Sequence, residues 1–476
     1  MVRMKIAMTA LLFVCLISVP PPSWSYQTHI EIIPPGWIEA EARDINNARM
    51  VAGSGKDDKK NERGFLYRMG RYKTLIPPGW RRSYAYGINR DGAVVGYGLD
   101  DVHKGFVYVD GNYTAISPPG WREAFAFAIN DKGSVVGYGR KGRFYTGFMY
   151  SNRTYTEILP PDWQEAYVYG INNSDVIVGY GRDKNGTSRG FMYSNGQYTP
   201  ILPPGWLEAK AVDINDSGDV TGFGFTRASI PTCFIYRGGS YSEITIPRIH
   251  FAEVGGINRR GAVAGKIKYA GRNMQGFFYD GLKIIPLLPS GWLWSQAHAV
   301  NDRGDVVGFG SYGGEKRGFL TMGTPAISVN PTVLFFGGNV HTWLLDDKTV
   351  TVKNKGDGEL IIESVTDPAF PFAIASDKCS GQRLSPTETC EISYRVSKTS
   401  ERAVHASAGI QSNDPGKSSV ELTFGIFPDS DSDGYTVDID CDDSDPSVNP
   451  GMKEALHNKK DDDCNPATPD SGTGPQ

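Results

Sequence analysis

The chain has 476 residues with a formal net charge of −4, enough for two to four domains and without a broad basic surface. Phosphate binding needs such a surface, which argues against nucleic acid as the main partner. Glycine and proline are frequent, at 57 and 30 residues, and aromatics make up 12% of the chain. With helical periodicity hard to find, the expectation is an all-β protein.

Residues 1–25 read as a secretory signal peptide. Arg3 and Lys5 form a basic start, residues 6–19 an uncharged apolar core, and Pro20, Pro21 and Pro22 end it before Ser23 and Ser25. The apolar stretch is short for a membrane span, and no later segment is apolar enough to cross a bilayer. The mature chain is therefore expected to be secreted or held at the cell surface, with the periplasm as the other destination. In that oxidising setting, Cys379 with Cys390 and Cys441 with Cys464 are expected as two local disulfides. Cys233, inside a repeat, is read as a buried inert thiol.

Residues 26–325 are a sevenfold repeat. An Ile-Asn or Val-Asn pair recurs at Asn46, Asn89, Asn130, Asn172, Asn215, Asn258 and Asn301, in steps of 41 to 43 residues. A Gly-Phe pair follows each (Cys233-Phe234 in the fifth), and Pro-Pro-Gly-Trp or a variant precedes all but the sixth. Each copy divides into four short strands with Asn/Ser/Asp/Gly turns, the size of a propeller blade. Residues 28–33 read as a fourth-type strand, whereas the seventh copy stops after its third. The N-terminal strand is thus expected to complete the last blade and close a seven-bladed ring, which leaves no open edge. The repeat resembles the HAF family of extracellular repeats of exported bacterial proteins, through its Ile-Asn, Val-Val-Gly-Tyr-Gly and Gly-Phe elements over about residues 30–322. The resemblance implies export and names no ligand.

Trp37, Trp80, Trp121, Trp163, Trp206 and Trp292 allow two readings. They wedge between blades, or they form a ligand-facing aromatic ring with Glu39, Glu123, Glu165, Glu208 and Glu253 just beyond, suited to stacking on sugars. Specificity is expected in non-repeating loops such as 56–63 and 182–189. Enzyme signatures fail: residues 308–313 spell G-x-G-x-x-G, but in a strand and loop without a helix, and residues 415–418 resemble a P-loop end lacking its first glycine. No catalytic residues are assigned. A polysaccharide-active enzyme remains the alternative, to be recognised by two carboxylates converging near the channel mouth from non-equivalent repeat positions.

Residues 326–427 carry six or more short strands and are expected to form an Ig-like β-sandwich. The stretch resembles the choice-of-anchor D and ASH-type domains of bacterial surface proteins, through Val352-Lys353-Asn354, Gly358-Glu359-Leu360 and the spacing from Cys379 through Leu384 and Pro386 to Cys390. The Cys379–Cys390 bond would clip one edge. In residues 428–465, Asp429, Asp431, Asp433 and Tyr435 alternate, with glycine sixth and Asp440 twelfth. That is the loop half of an EF-hand with Asp in place of the final Glu. A second run, Asp440, Asp442, Asp443 and Asp445, leads to Glu454 and to the Asp461–Asp463 triplet beside Cys464. These residues resemble the MopE-like metal-binding Asp/Cys motif of bacterial secreted proteins. Calcium is the expected ion, because carboxylate clusters prefer hard cations, and one methionine and one histidine are thin support for copper. The bland alternative is a solvated acidic linker. Residues 466–476 look disordered. Together these features predict a non-enzymatic binding, adhesion or scaffolding protein with an unknown glycan or protein ligand.

Overall fold

The computed structural model describes residues 28–339, 347–396, 404–431, 433, 435–436, 439–442, 444–455 and 459–468. The expected signal peptide, Asp443, and the tail from 469 onward lie outside them. Every regular element among the described residues is a β-strand.

The repeats fold into seven four-stranded antiparallel sheets that resemble propeller blades. The fourth repeat is typical, with strands Glu165–Ile171, Ile177–Arg182, Ser188–Ser194 and Gln197–Ile201. The recurring residues explain why. The phenylalanine of each Gly-Phe pair, from Phe65 to Phe319, is at most 1% exposed and fills the space between sheets. The second-strand glycines let neighbouring strands approach closely: a Cβ on Gly96 or Gly137 would sit 1.9 Å from a carbonyl oxygen.

The first strands of successive sheets lie against one another around a complete circle, the seventh meeting the first. The repeated asparagines tie that circle together. Asn46 Nδ2 donates to the Asn89 carbonyl at 3.0 Å, each next asparagine does the same at 2.9 to 3.2 Å, and Asn301 returns to the Asn46 carbonyl at 3.2 Å. Each Asn Oδ1 meanwhile accepts backbone N–H groups of its own turn, as Asn130 does from Lys132 and Ser134. The strand Thr28–Ile32 pairs with Glu315–Met322 as the outer strand of the last sheet, with His29 opposite Thr321 and Ile32 opposite Gly318.

Residues beyond the repeats form two sheets around one core. One joins Ile327–Asn330, Lys348–Asn354, Thr389–Val396 and Phe372–Asp377; the other joins Val333–Asn339, Ser419–Asp429, Val404–Ser412, Leu360–Val365 and Arg383–Leu384. Leu334, Phe336, Val350, Ile392, Tyr394 and Phe424 are buried between them. Cys379 and Cys390 are bonded, linking the end of strand Phe372–Asp377 to the adjacent strand. This unit leans on the asparagine end of the repeat ring, where Arg303 pairs with Glu359 at 3.2 Å and Arg259 with Glu388 at 3.8 Å.

Candidate functional site

Two places gather chemistry: a cavity in the channel of the repeat ring, and the acidic C-terminal segment. The cavity measures about 400 Å³ and lies beside the ring of Ile-Asn pairs, one step earlier along the first strands. The residue two before each Ile or Val lines it, and here the repeats diverge. Tyr86, Phe127 and Tyr169 come from three consecutive sheets, and Arg43, Val212, Gly255 and His298 from the other four.

The three aromatics form a continuous wall. Tyr86 and Phe127 have ring centroids 5.0 Å apart, Phe127 and Tyr169 5.1 Å, and Tyr169 stacks on Tyr180 at 5.5 Å. Burial and neighbouring phenols push Tyr169 far above the usual phenol range, so its hydroxyl stays neutral. Charged residues make up much of the remaining lining. Lys210 Nζ lies 5.0 Å from the Tyr180 ring centroid and 5.5 Å from that of Phe223. Lys266 pairs with Glu253 at 2.7 Å, and Glu41 takes both Arg43 and, at 2.7 Å, Lys316. His298 stacks on Phe309 at 5.2 Å, and its buried Nε2 has no hydrogen-bond partner among the described residues.

Asp44 and Asp213 border the same cavity. Asp44 accepts the Ile45 N–H at 2.8 Å and the next sheet's Ile88 N–H at 2.9 Å; Asp213 accepts those of Ile214 and Ile257, both at 2.9 Å. Burial raises Asp44 to about 7, with a smaller contribution from Asp213, and burial raises Asp213 to about 6. Burial, then Arg43 and Lys266, holds His298 well below the usual imidazole range.

These shifts pull stability in opposite directions. A raised carboxyl binds its proton more tightly in the folded chain, so its contribution is complete below about 4 and is lost as pH rises through 6 to 7. A lowered imidazole contributes above 6.5 and loses that contribution on acidification. Replacing His298 with Phe is expected to remove its share of this opposition to the carboxyls, leaving that of His29, which burial lowers to about 4. Relative to the parent, stability at pH 5 against pH 7 should then rise by about 2 kcal/mol. Denaturant unfolding at the two pH values reads this, and identical pH dependence in variant and parent would refute it.

The predicted tryptophans sit outside this cavity. Trp37, Trp80, Trp121, Trp163 and Trp292 are half-buried, and each meets the Gly-Phe phenylalanine of its own repeat edge-on at 5.7 to 6.1 Å. Trp206 is only 5% exposed and donates Nε1 to Glu243 at 2.9 Å, so a ligand-facing position does not hold for it. The glutamates beyond them are engaged across the strand: Glu39 with Lys56 at 3.0 Å, Glu123 with Arg140 at 3.4 Å and Glu165 with Arg182 at 3.1 Å.

In the C-terminal segment, carboxylate oxygens of Asp429, Asp431 and Asp433 lie within 4.8 Å of one another. Asp431 is raised by burial and then by Asp433, with further contributions from Asp440 and Asp429; its buried Oδ2 has no hydrogen-bond partner among the described residues. Crowded carboxylates with an orphaned oxygen fit a hard cation. The Tyr435 N–H donates to Asp433 Oδ1 at 2.9 Å. Glu454 belongs to a separate group with Asp461 and Asp463, the carboxylates that close the motif in sequence. Asp442 accepts from Ser444 and Asp445 from Lys460 and Ser447, so these two are turned to local partners. Cys441 and Cys464 are bonded to each other, which removes them as thiolate ligands beside Asp440.

Comparison with known proteins adds one sequence match. Residues 440–469 match the family model Cu-binding MopE, described as a metal-binding motif. No curated protein matches the chain. Among solved structures, the Aleuria aurantia lectin, as a mutant bound to Fucα1-6GlcNAc, is 11% identical over 54% of this chain and 100% of its own, with a TM-score of 0.33. AofleA from Arthrobotrys oligospora is 12% identical over 55% and 90%, with a TM-score of 0.36. A puromycin-hydrolyzing peptidase from Mycobacterium tuberculosis is 14% identical over 59% and 52%, with a TM-score of 0.40. None of these transfers a ligand to this chain. Among the described residues, no helix is long and apolar enough to cross a membrane.

Proposed function

We propose that this is an exported binding protein in which a seven-bladed propeller, residues 26–325, holds a ligand in its channel cavity. An Ig-like sandwich, residues 326–427, and a calcium-held module, residues 428–465, extend it, and residues 1–25 direct its export. The observation that carries the reading is the divergence at one repeat register. Where a scaffold position would repeat, the channel lining changes from Tyr86, Phe127 and Tyr169 to Arg43 and His298. A mixed aromatic and polar concavity of this size is the usual form of a small-ligand or glycan-end site. Calcium is favoured by the all-oxygen donor set of Asp429, Asp431 and Asp433.

Retention on immobilised glycans and cell-surface polymers tests the reading. Retention by the mature chain is expected to be lost on Tyr86→Ala with Tyr169→Ala and kept on Trp121→Ala with Trp163→Ala, thermal melts confirming folded variants. Loss with the tryptophan pair alone would move the site to the rim, and no retention at all would leave a scaffold.

One observation favours a second reading, an enzyme acting on polysaccharide. Asp44 and Asp213, both with raised proton affinity, border one cavity, as a general acid and base would. Against it, both occupy the same position of the repeat, and each is engaged by two backbone N–H groups. Release of reducing ends from a retained polymer, abolished by Asp213→Asn, would decide for the enzyme.

A further inference from the structure

Arg43, Lys210 and Lys266 line the cavity with Asp44, Asp213 and Glu253, but these charges are not all paired. Glu253 is taken by Lys266 at 2.7 Å, and Glu41 by Arg43 and Lys316. Asp44 and Asp213 are committed to backbone N–H groups. Lys210 is left, among the described residues, with no carboxylate within 4.0 Å; its ammonium rests between the Tyr180 and Phe223 rings. Tyr180 continues the wall of Tyr86, Phe127 and Tyr169, so Lys210 stands at its end. An uncompensated cation in a partly enclosed site favours an anionic group on the ligand. The aromatic wall favours a ring with an apolar face.

We propose that the cavity takes a sugar ring carrying a carboxylate, its apolar face along Tyr86, Phe127 and Tyr169 and its carboxylate against Lys210. This rests on the binding reading above and names its ligand class. A sugar suits the site better than an aromatic acid, because Tyr86, Tyr169 and Tyr180 line the space and belong to a phenol network, Tyr86 bonding Tyr97 and Tyr169 bonding Tyr180 and Tyr138, that ring hydroxyls can join. A flat aromatic ring offers that network no hydroxyl. A cationic ligand is disfavoured beside the Lys210 ammonium.

Calorimetric titration of the mature chain with methyl glucuronide, methyl glucoside and benzoate tests the proposal. The glucuronide is expected to bind at least tenfold tighter than the glucoside or benzoate. Lys210→Met should erase the preference for the acid over the glucoside, and Lys210→Arg should restore it. Equal affinity for the two sugars, a preference that survives in Lys210→Met, or benzoate binding as tightly as glucuronide would each overturn it. Equal binding of both sugars, lost on Tyr169→Ala, would overturn the acidic-sugar proposal while leaving the cavity as the binding site. Binding of none of the three would overturn it as well.

Discussion

A chain that starts after residue 33 is expected to lose the closed ring, unfold at much lower denaturant than one that starts at residue 26, and associate through its exposed edge. The strand Thr28–Ile32 supplies the outer strand of the last sheet, and Ile32 within it is fully buried. Truncation opens a cavity where Ile32 was, at about 2–5 kcal/mol by analogy with buried large-to-small changes. It also strips the ladder partner from residues 318–322 and removes the Ile33 N–H that donates to Tyr72 Oη at 3.1 Å. Equivalent tyrosine contacts join neighbouring sheets elsewhere, as Tyr113 does with Ile76 and Tyr155 with Ser117. The total is comparable to the whole stability of a typical domain, about 5–15 kcal/mol. An unpaired strand at an exposed edge is also a template for another chain. Size-exclusion chromatography and urea unfolding read both consequences, and a synthetic peptide of residues 26–34 should restore the parent transition. A truncated chain that melts and elutes like the parent would show that the ring closes without this strand.

The repeat architecture was legible because its determinants recur. Ile-Asn pairs, second-strand glycines and buried phenylalanines each do one physical job seven times, and the strand left over at the N-terminus pointed to closure. The extra strands Phe372–Asp377 and Val404–Ser412 were less visible, since their apolar residues alternate weakly with short polar ones. The cavity was not anticipated. Sequence reasoning looked for specificity in loops 56–63 and 182–189, but the divergence sits on the first strands, at the residue two before each Ile or Val. A sevenfold alignment of that single column shows three aromatics followed by unrelated types, which is the signal that could have found it. That these side chains share one space depends on ring closure, which brings Arg43 beside Tyr86 and Phe309, its guanidinium 5.1 and 5.3 Å from their ring centroids. Among the metal candidates, alternation in sequence brought Asp429, Asp431 and Asp433 together. Asp445, from the second acidic run, pairs with Lys460, fifteen residues away.

Chelation of divalent cations is expected to release the C-terminal module while leaving the propeller folded. Among its described residues only Val448 is a buried apolar side chain, whereas Asp429, Asp440, Asn449 and Asp462 are buried polar ones. A segment of roughly forty residues with so little apolar burial needs a disulfide or a metal to stay ordered. The Cys441–Cys464 bond closes a 23-residue separation and is worth about 3 kcal/mol on the loop-closure scale. The remainder falls to the cation, which gathers carboxylates that otherwise repel, as the raised proton affinity of Asp431 records. Calcium at one hundred times its dissociation constant would add about 2.7 kcal/mol, or roughly a hundredfold fall in the open population. Trypsin should therefore cut after the exposed Lys453 and Lys460 about a hundredfold faster in EGTA than in calcium. Asp431→Asn should abolish that protection, and protection should weaken as pH falls and protons compete for the same oxygens. If copper protects and calcium does not, the ion assignment fails while the metal site stands; if neither does, the segment is an acidic linker held by its disulfide alone.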